Sequence, residues 1–596
     1  MRKKILVIPF LTSFVFLLAY CASKPKPNIE QTVKTFVLQQ SDSLDNAVAD
    51  LLKAVETGDT LTAKKTFLNA RNSYKKVEWF SEYYASTASK EINGPPLPEI
   101  ETEENKSFEP GGLQVIEEFL YPYQPKETAN ILREIKSMQS SLRRFKTIIN
   151  DSELTQAHIL DACKLEVFRV ITTGISGFDT PLTNSGVKES AVAITAVKAI
   201  LSFFENDKDL MKRADSAIDY LNKHPDFNAF NRMLFIRNYA NPLTTAMVEW
   251  QQRAGIKPLK IDLGFRNSAK TMFDKNAINT DHFVNSAEAM PTPSKIALGK
   301  ALFSDRLVAN STRTCNSCHK PEFAFTDGAI KSAALIKGRF VKRNAPTLYY
   351  AGLQNAQFYD MRSQTLENQA MDVIANKDEM HASVDDAAKR LQGDPNYYKL
   401  FKGSFATMEQ ELKPRFVMIA LASYVRSLTP FNSRFDKYMR GDDKQMNGAE
   451  IEGFNLFMGK AKCGSCHFMP LFNGTAAPIF ANTEAEVLGV PANPATKHPI
   501  VDADEGRYFY NKIDQLKYAF KTPTIRNSER TAPYMHNGSF TSLKQVIDFY
   551  NKGGGAGVGI KLKNQTLSPD PLNLSPKEQT AVIAFIKTLT DEPEGN

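Results

Sequence analysis

The stretch STRTCNSCHKPEFAFTDG, residues 311–328, contains Cys315-Asn316-Ser317-Cys318-His319, and Cys463-Gly464-Ser465-Cys466-His467 repeats the pattern 148 residues downstream. C-x-x-C-H is the attachment motif of a c-type haem. A single copy in a large protein is also compatible with a zinc or redox pair. Two copies with no other cysteine pair nearby make two covalently attached haems the stronger reading. The two thiols tether a porphyrin, and the adjacent histidine is placed to ligate its iron. Four of the six cysteines belong to the motifs, leaving Cys21 near the N-terminus and Cys163 in AHILDACKLEVFRV. A lone cysteine in such a helical stretch reads as a buried small apolar residue, and no disulfide framework exists.

Length and composition set the frame around these motifs. The chain has 596 residues, 42% apolar and 23% charged, ordinary values for a soluble globular protein of several domains. Its net charge of +8 comes from 74 basic and 66 acidic residues. No basic run is interleaved with aromatics, which argues against nucleic-acid binding. The N-terminus, MRKKILVIPFLTSFVFLLAYCASKPKP, has three basic residues followed by 16 largely apolar ones. Residues 1–21 therefore read as a secretory signal, too short to span a membrane comfortably. Cys21 resembles a bacterial lipoprotein acceptor cysteine, although Tyr20 stands where a small residue is usual. The expectation is a bacterial protein exported to the periplasm or lipid-anchored at the outer membrane. Plain secretion with Cys21 removed is the alternative. Haem is attached to C-x-x-C-H outside the bacterial cytoplasm, so signal and motifs support each other.

The pattern along the chain predicts a mainly α protein: an N-terminal helical bundle followed by two cytochrome c-like haem domains. Residues 28–255 repeat apolar residues at three-to-four spacing, as in DNAVADLLKAVETG and ESAVAITAVKAILSFF. ARNSYKKVEWFSEYY, INGPPLPE and GGLQVIEEFL in this region resemble imelysin-like helical domains. Gln114 stands where that family's G-x-H-x-x-E motif has its histidine, so the resemblance carries over a fold and not a metal site at Glu117. Residues 256–290 read as a connector, 291–445 as the first haem domain and 446–591 as the second, with DEPEGN as a frayed tail. Pro293 is placed as a first-turn residue of a helix. The glycine cluster NKGGGAGVG lacks the strand-before, helix-after context of a nucleotide loop and reads as a flexible loop.

Three stretches go further: ALGKALFSDRLVANSTRTCNSCHKPEFAFTDG, RNAPTLYYAGLQNAQFYDMRSQTLENQAMDVIANKDEM and KTPTIRNSERTAPYMHNGSFTSLKQVIDFYNKGG. Over residues 285–591 they resemble the bacterial di-haem cytochrome c peroxidase family, including its MauG-like branch. The resemblance implies a peroxidatic N-terminal haem held by Cys315, Cys318 and His319. It implies an electron-transfer haem held by Cys463, Cys466 and His467. It assigns the distal acid–base pair to Gln369, in LENQ, and Glu379, in KDEM. Cleaving a peroxide O–O bond needs a base that takes a proton from one oxygen and returns it to the other. Read without the family, Glu379 is one acid among many. Tyr359, in QFYD, occupies the position of a bridging tryptophan. Asn344, Thr531 and Pro533 match a calcium site of oxygen ligands, and otherwise read as turn residues. The implied partners are hydrogen peroxide and a donor such as a small cytochrome c or a cupredoxin. A protein or organic substrate is the MauG-like alternative. Homodimers are common in the family.

What faces each iron opposite its histidine decides the chemistry. Many peroxidase members cap the first haem with a second histidine, but no histidine lies between His319 and His381. The first site is therefore expected to be open, with His381 at the surface or shaping the pocket. For the second haem, Met535 in APYMHNG and Tyr550 in DFYNKGG lie 15 residues apart, and the family alignment favours Tyr550. A thioether raises a haem potential, and an anionic phenolate favours the oxidised iron. His536 is expected to contact haem, and Arg526 to pair with a propionate through its bidentate fork. A reading of another class is a surface electron carrier or haem-binding module without catalysis.

Overall fold

The computed structural model describes residues 28–592 except 98, 102–105, 205–206 and 310–312, without the side chains of 99–101 and 106–108. The signal segment and Cys21 lie outside the described residues. The chain is 54% helical. Its only strands among the described residues are two short antiparallel pairs, Glu99–Glu101 with Lys106–Phe108 and Ala485–Glu486 with Phe520–Lys521.

The N-terminal helices form where the apolar period predicts. Ile29–Glu56 starts at Asn28, whose side chain accepts from Gln31 N, and buries Val33, Val37, Leu44, Val48, Leu51 and Val55 along one stripe. Asp59 caps Thr60–Lys75 in the same way. Two helices of this bundle each run into a π-turn, Val170–Gly174 and Ile236–Ala240. No helix among the described residues is long and apolar enough to cross a membrane. Cys163 is buried in the bundle core.

Each haem domain is built on one close helix crossing that needs a glycine. In the first, Pro293–Phe303 crosses Pro414–Ser427, and a Cβ on Gly299 would lie 1.9 Å from Ala420 O. In the second, Gly448–Met458 crosses Pro576–Thr588, and a Cβ on Gly453 would lie 1.9 Å from Ala581 O. In both domains this pair precedes and follows the C-x-x-C-H turn. The two domains thus share one architecture, each with its own copy of the crossing.

Packing ties the ends of the chain together. Residues 289–428 hold a core of their own, whereas the N-terminal bundle and the second haem domain share one continuous apolar core. Phe178 meets Phe468 edge-on at 5.2 Å, and Thr172 Oγ1 donates to Ala477 O at 2.9 Å. Asn455 Oδ1 accepts from Met233 N at 3.0 Å. The π-turn Val170–Gly174 thereby sits against the second haem domain.

Two segments differ from their sequence reading, and a third is more tightly packed than its composition suggests. The connector is packed: Phe265, Phe273 and Phe283 are buried, and Phe265 and Phe283 both pack on Phe480. The glycine cluster is not a flexible loop. Gly553–Gly555 are buried, and a Cβ on Gly553, where φ is +90°, would meet Pro569 O at 2.1 Å. The tail does not fray at its start, because buried Asp591 accepts from Tyr350 Oη at 2.7 Å and Asn527 Nδ2 at 2.8 Å. In each case distant residues supply what the local composition does not show.

Candidate active site

The first C-x-x-C-H forms a single tight turn in which His319 N donates to Cys315 O at 3.0 Å. The His319 ring sets Nδ1 2.9 Å from Phe325 O. A carbonyl only accepts, so Nδ1 carries the proton and Nε2 presents a lone pair. Burial holds this ring below the usual histidine pKa. The second turn repeats the device. His467 Nδ1 lies 3.2 Å from Phe472 O and 3.1 Å from Pro523 O, and burial lowers the ring to about 4. Two neutral imidazoles with tied Nδ1 and free Nε2 are what axial ligation requires. Cys315, Cys318, Cys463 and Cys466 are all unpaired thiols. These residues fit two covalently attached haems.

Glu379 lies beside the first turn, close enough for its charge to act on Cys318. It follows the helix Leu366–Ala375, which Thr365 caps and which is anchored by the bidentate Arg426–Glu367 pair at 2.6 and 2.9 Å. Asn376, at the helix end, donates from Nδ2 to Glu379 Oε1 at 2.7 Å. Burial raises the Glu379 carboxyl above its usual range, against the pull of Arg362 and the Asn376 bond. Gln369 is half-buried on the same helix. His381 is exposed, with φ +46° and its N–H on Asn376 O at 2.8 Å. The hairpin around residues 332–341 is pinned to this segment by Leu335 N donating to Asp378 O at 2.9 Å.

Between the two domains stands Tyr359, its phenol pushed up to about 12 by burial against the opposing charge of Arg343. Lys521 N donates to Tyr359 O at 2.7 Å, and burial depresses the Lys521 ammonium to about 8. Arg343 joins the domains, pairing with Asp360 and with Asp504 through Nε at 2.7 Å and Nη2 at 2.9 Å. Asn344 is buried, and its backbone N donates to His536 O at 2.8 Å, which brings it to the segment that follows Thr531 and Pro533. Its Nδ2 donates to Ala329 O at 2.8 Å. No group of three or more His, Cys, Asp or Glu among the described residues could hold a metal; the carbonyl-rich set expected for calcium is of another kind.

At the second turn, Tyr550 sits close to Cys466, Cys463 and Glu486, and burial first, then those groups, raise its phenol far above its ordinary pKa. Met535, at φ +71°, packs in the same apolar group with Val490, Phe540 and Phe549. Both candidate ligands thus line one wall. Glu486 was not legible in sequence. It accepts from Cys466 Sγ at 3.3 Å and from Thr566, reached from a strand pair that no local pattern announces. Arg526 and His536 have partners other than those expected. Arg526 is fully buried, its fork on Asp436 at 2.9 and 2.8 Å and its Nε on Pro470 O at 2.9 Å. The fork offered to a propionate in the sequence reading is occupied by a carboxylate of the protein. His536 stacks on Phe520 at 3.7 Å with Nε2 3.3 Å from Asp502 Oδ1, and this bond holds Asp502 well below the usual carboxylate range. In the bundle, Gln114 Nε2 donates to Asn93 O at 2.8 Å, and buried Glu117 accepts from Thr183 N at 2.8 Å.

Two histidine-ligating C-x-x-C-H turns on duplicated helical domains define a di-haem c-type cytochrome. Residues 293–444 match the family model of the di-haem cytochrome c peroxidases. The chain is 33% identical over 303 residues to the methylamine utilization protein MauG of Methylorubrum extorquens, covering 51% of this chain and 80% of that protein. It is 31% identical to the cytochrome-c peroxidase IdrP1 of a Pseudomonas species, over 56% of this chain and 93% of that one. It is 33% identical to the cytochrome c551 peroxidase of Nitrosomonas europaea, over 50% and 80%. A solved MauG-like protein associated with microbial copper homeostasis aligns with TM-score 0.45 and 28% identity, over 52% of this chain and 92% of that chain. The chain belongs to the di-haem cytochrome c peroxidase family, the resemblance resting on its C-terminal half.

Proposed function

We propose that the protein is an oxidoreductase that reduces hydrogen peroxide at its first haem site with electrons delivered through the second. When bound, each haem supplies an iron centre that changes oxidation state. The chain supplies the rest. His319 and His467 would each hold a haem iron through Nε2, their orientation locked by the carbonyls at Nδ1. Cys315, Cys318, Cys463 and Cys466 tether the two groups. Glu379 holds and moves the proton, taking it from one peroxide oxygen and returning it to the other, with Gln369 as its polar neighbour on the preceding helix. Tyr359, at the domain joint, is the relay between the sites.

The observation that carries this reading is Glu379: a half-buried carboxyl with a raised pKa, held by Asn376 beside Cys318. A carboxyl poised nearer neutrality than usual gives and takes a proton more readily. The exposed position of His381 supports an open first site, because no other histidine follows the first turn closely. Export is supported by residues 1–21 and by the attachment chemistry. Calcium at Asn344, Thr531 and Pro533 is supported by the oxygen-only donor set at the domain joint.

Tyr550 favours a second reading. A phenolate ligand at the second site stores oxidising equivalents better than a thioether does. That suits MauG-like oxidation of a protein or organic substrate. The test of the main reading is Glu379→Gln, which preserves the Asn376 bond and removes the proton. Peroxide turnover is expected to fall by about 10²–10⁴-fold with both haems retained by pyridine haemochrome assay. Turnover equal to that of the parent would leave a carrier without this acid–base step.

A further inference from the structure

We propose that the exposed surface formed by Phe340, Lys342, Phe509, Tyr510 and Lys512 docks a small acidic redox protein, the electron donor of the peroxidase reading on which this inference rests. Four aromatic side chains among the described residues are prominently exposed, and three of them lie here: Phe340 at 65%, Phe509 at 57% and Tyr510 at 50%. A monomeric surface does not leave such rings together without a use. Phe509 and Tyr510 meet edge-on at 5.0 Å. Lys342 Nζ lies 5.0 Å from the Phe509 ring centre, and Lys512 Nζ lies 5.6 Å from it. Phe340 is two residues before Lys342, on the same arm of the hairpin. The result is an apolar centre rimmed by ammonium groups.

The rim is mainly basic, although exposed Asp514 lies two residues after Lys512. Lys337 and Arg339 extend it along the hairpin tip, all exposed. The nearby carboxylates are engaged: Asp360 and Asp504 by Arg343, and Glu505 by Lys517 at 3.0 Å. A partner carrying carboxylates around an apolar contact fits this pattern. It would be steered by charge and seated by the rings. The location matches the task. Lys342 adjoins Arg343, the residue that joins the two haem domains and acts on Tyr359. The hairpin itself is pinned to Asp378, next to Glu379. An electron entering here arrives over the joint between the sites.

The test uses the full-length holoprotein, reduced acidic plastocyanin as the protein probe and hydroquinone as a small uncharged donor. Steady-state turnover with peroxide is measured at several salt concentrations, and plastocyanin binding is measured by calorimetry without peroxide. The parent's kcat/KM for plastocyanin is expected to fall steeply with salt. The double variant Lys342→Glu, Lys512→Glu is expected to lose at least about tenfold in both binding and kcat/KM at low salt. Its hydroquinone turnover should stay within about twofold of the parent's, with haem content unchanged. Phe509→Ser should weaken plastocyanin binding while leaving its salt dependence in place. Plastocyanin binding that is unchanged by charge reversal overturns the proposal, as does tighter binding of a basic mitochondrial cytochrome c to the parent. Binding lost on charge reversal in a parent that turns over no peroxide with either donor would support the surface and sink the peroxidase reading instead.

Discussion

Gly299→Ala is the substitution that most directly tests how the first haem domain is assembled. The added Cβ would sit 1.9 Å from Ala420 O, 2.7 Å from Ala420 C and 2.9 Å from Tyr424 Cβ. Ordinary contact begins near 3.4 Å, so the crossing helices must part by about 1.5 Å or bend, an overpacking that costs about 1–3 kcal/mol. Alanine returns up to about 1 kcal/mol of helix propensity. The clash is with a backbone carbonyl, which puts the cost at the upper end, so the net is a loss of about 2 kcal/mol, or roughly 4–8 °C in the melting midpoint of a domain this size. Gly403 is the control. It lies in the helix Pro395–Ser404 with nothing within 4 Å of its would-be Cβ. Gly403→Ala is expected to be neutral or to stabilise by up to about 1 kcal/mol. Thermal melts of the two holoproteins, followed at the Soret band and by far-ultraviolet dichroism, give the comparison. A Gly299→Ala protein as stable as the parent would refute the close crossing.

Further predictions concern the second domain. Asp436→Asn strands the buried Arg526 guanidinium among Tyr350, Phe431 and Phe472, and is expected to cost about 3–5 kcal/mol in chemical denaturation. Burial alone would raise the Asp436 carboxyl, but Arg526 outweighs it and holds the pKa down. The pair therefore stabilises fully above the unfolded carboxylate value of about 4 and is lost as pH falls through the lower folded value. The parent should lose stability over that acid range more steeply than the variant; equal slopes would show the pair to be inert. Tyr550→Met is expected to raise the midpoint potential of the second haem in spectroelectrochemistry, because a thioether replaces a phenolate. An unchanged potential and spectrum would assign the ligand to Met535.

The haem turns were legible because their chemistry fixes residue types at short spacing, and the same holds for the apolar stripe of Ile29–Glu56. Gly299 and Gly453 could be seen as glycines in helices but not as contacts, since Ala420 and Ala581 lie more than a hundred residues away. The ion pairs of the domain joint were not legible, although the family resemblance pointed to Tyr359 and Asn344 there. Arg343 meets Asp504 across 161 residues and Asp360 across 17, and single charges carry no local pattern. Arg526 shows the opposite error: bidentate guanidinium chemistry suggests a propionate partner, while Asp436, 90 residues upstream, already fills the guanidinium's fork. Boundaries drawn from composition separated the bundle from the second haem domain, whereas apolar faces pack by shape and not by chain order.

Low-temperature EPR of the fully oxidised holoprotein tests the central claim, an open first site opposite His319 with no capping histidine. A high-spin ferric signal beside a low-spin one is predicted, with direct reaction of the resting protein with peroxide. Two low-spin signals would contradict the account and make reductive release of a capping ligand the first step.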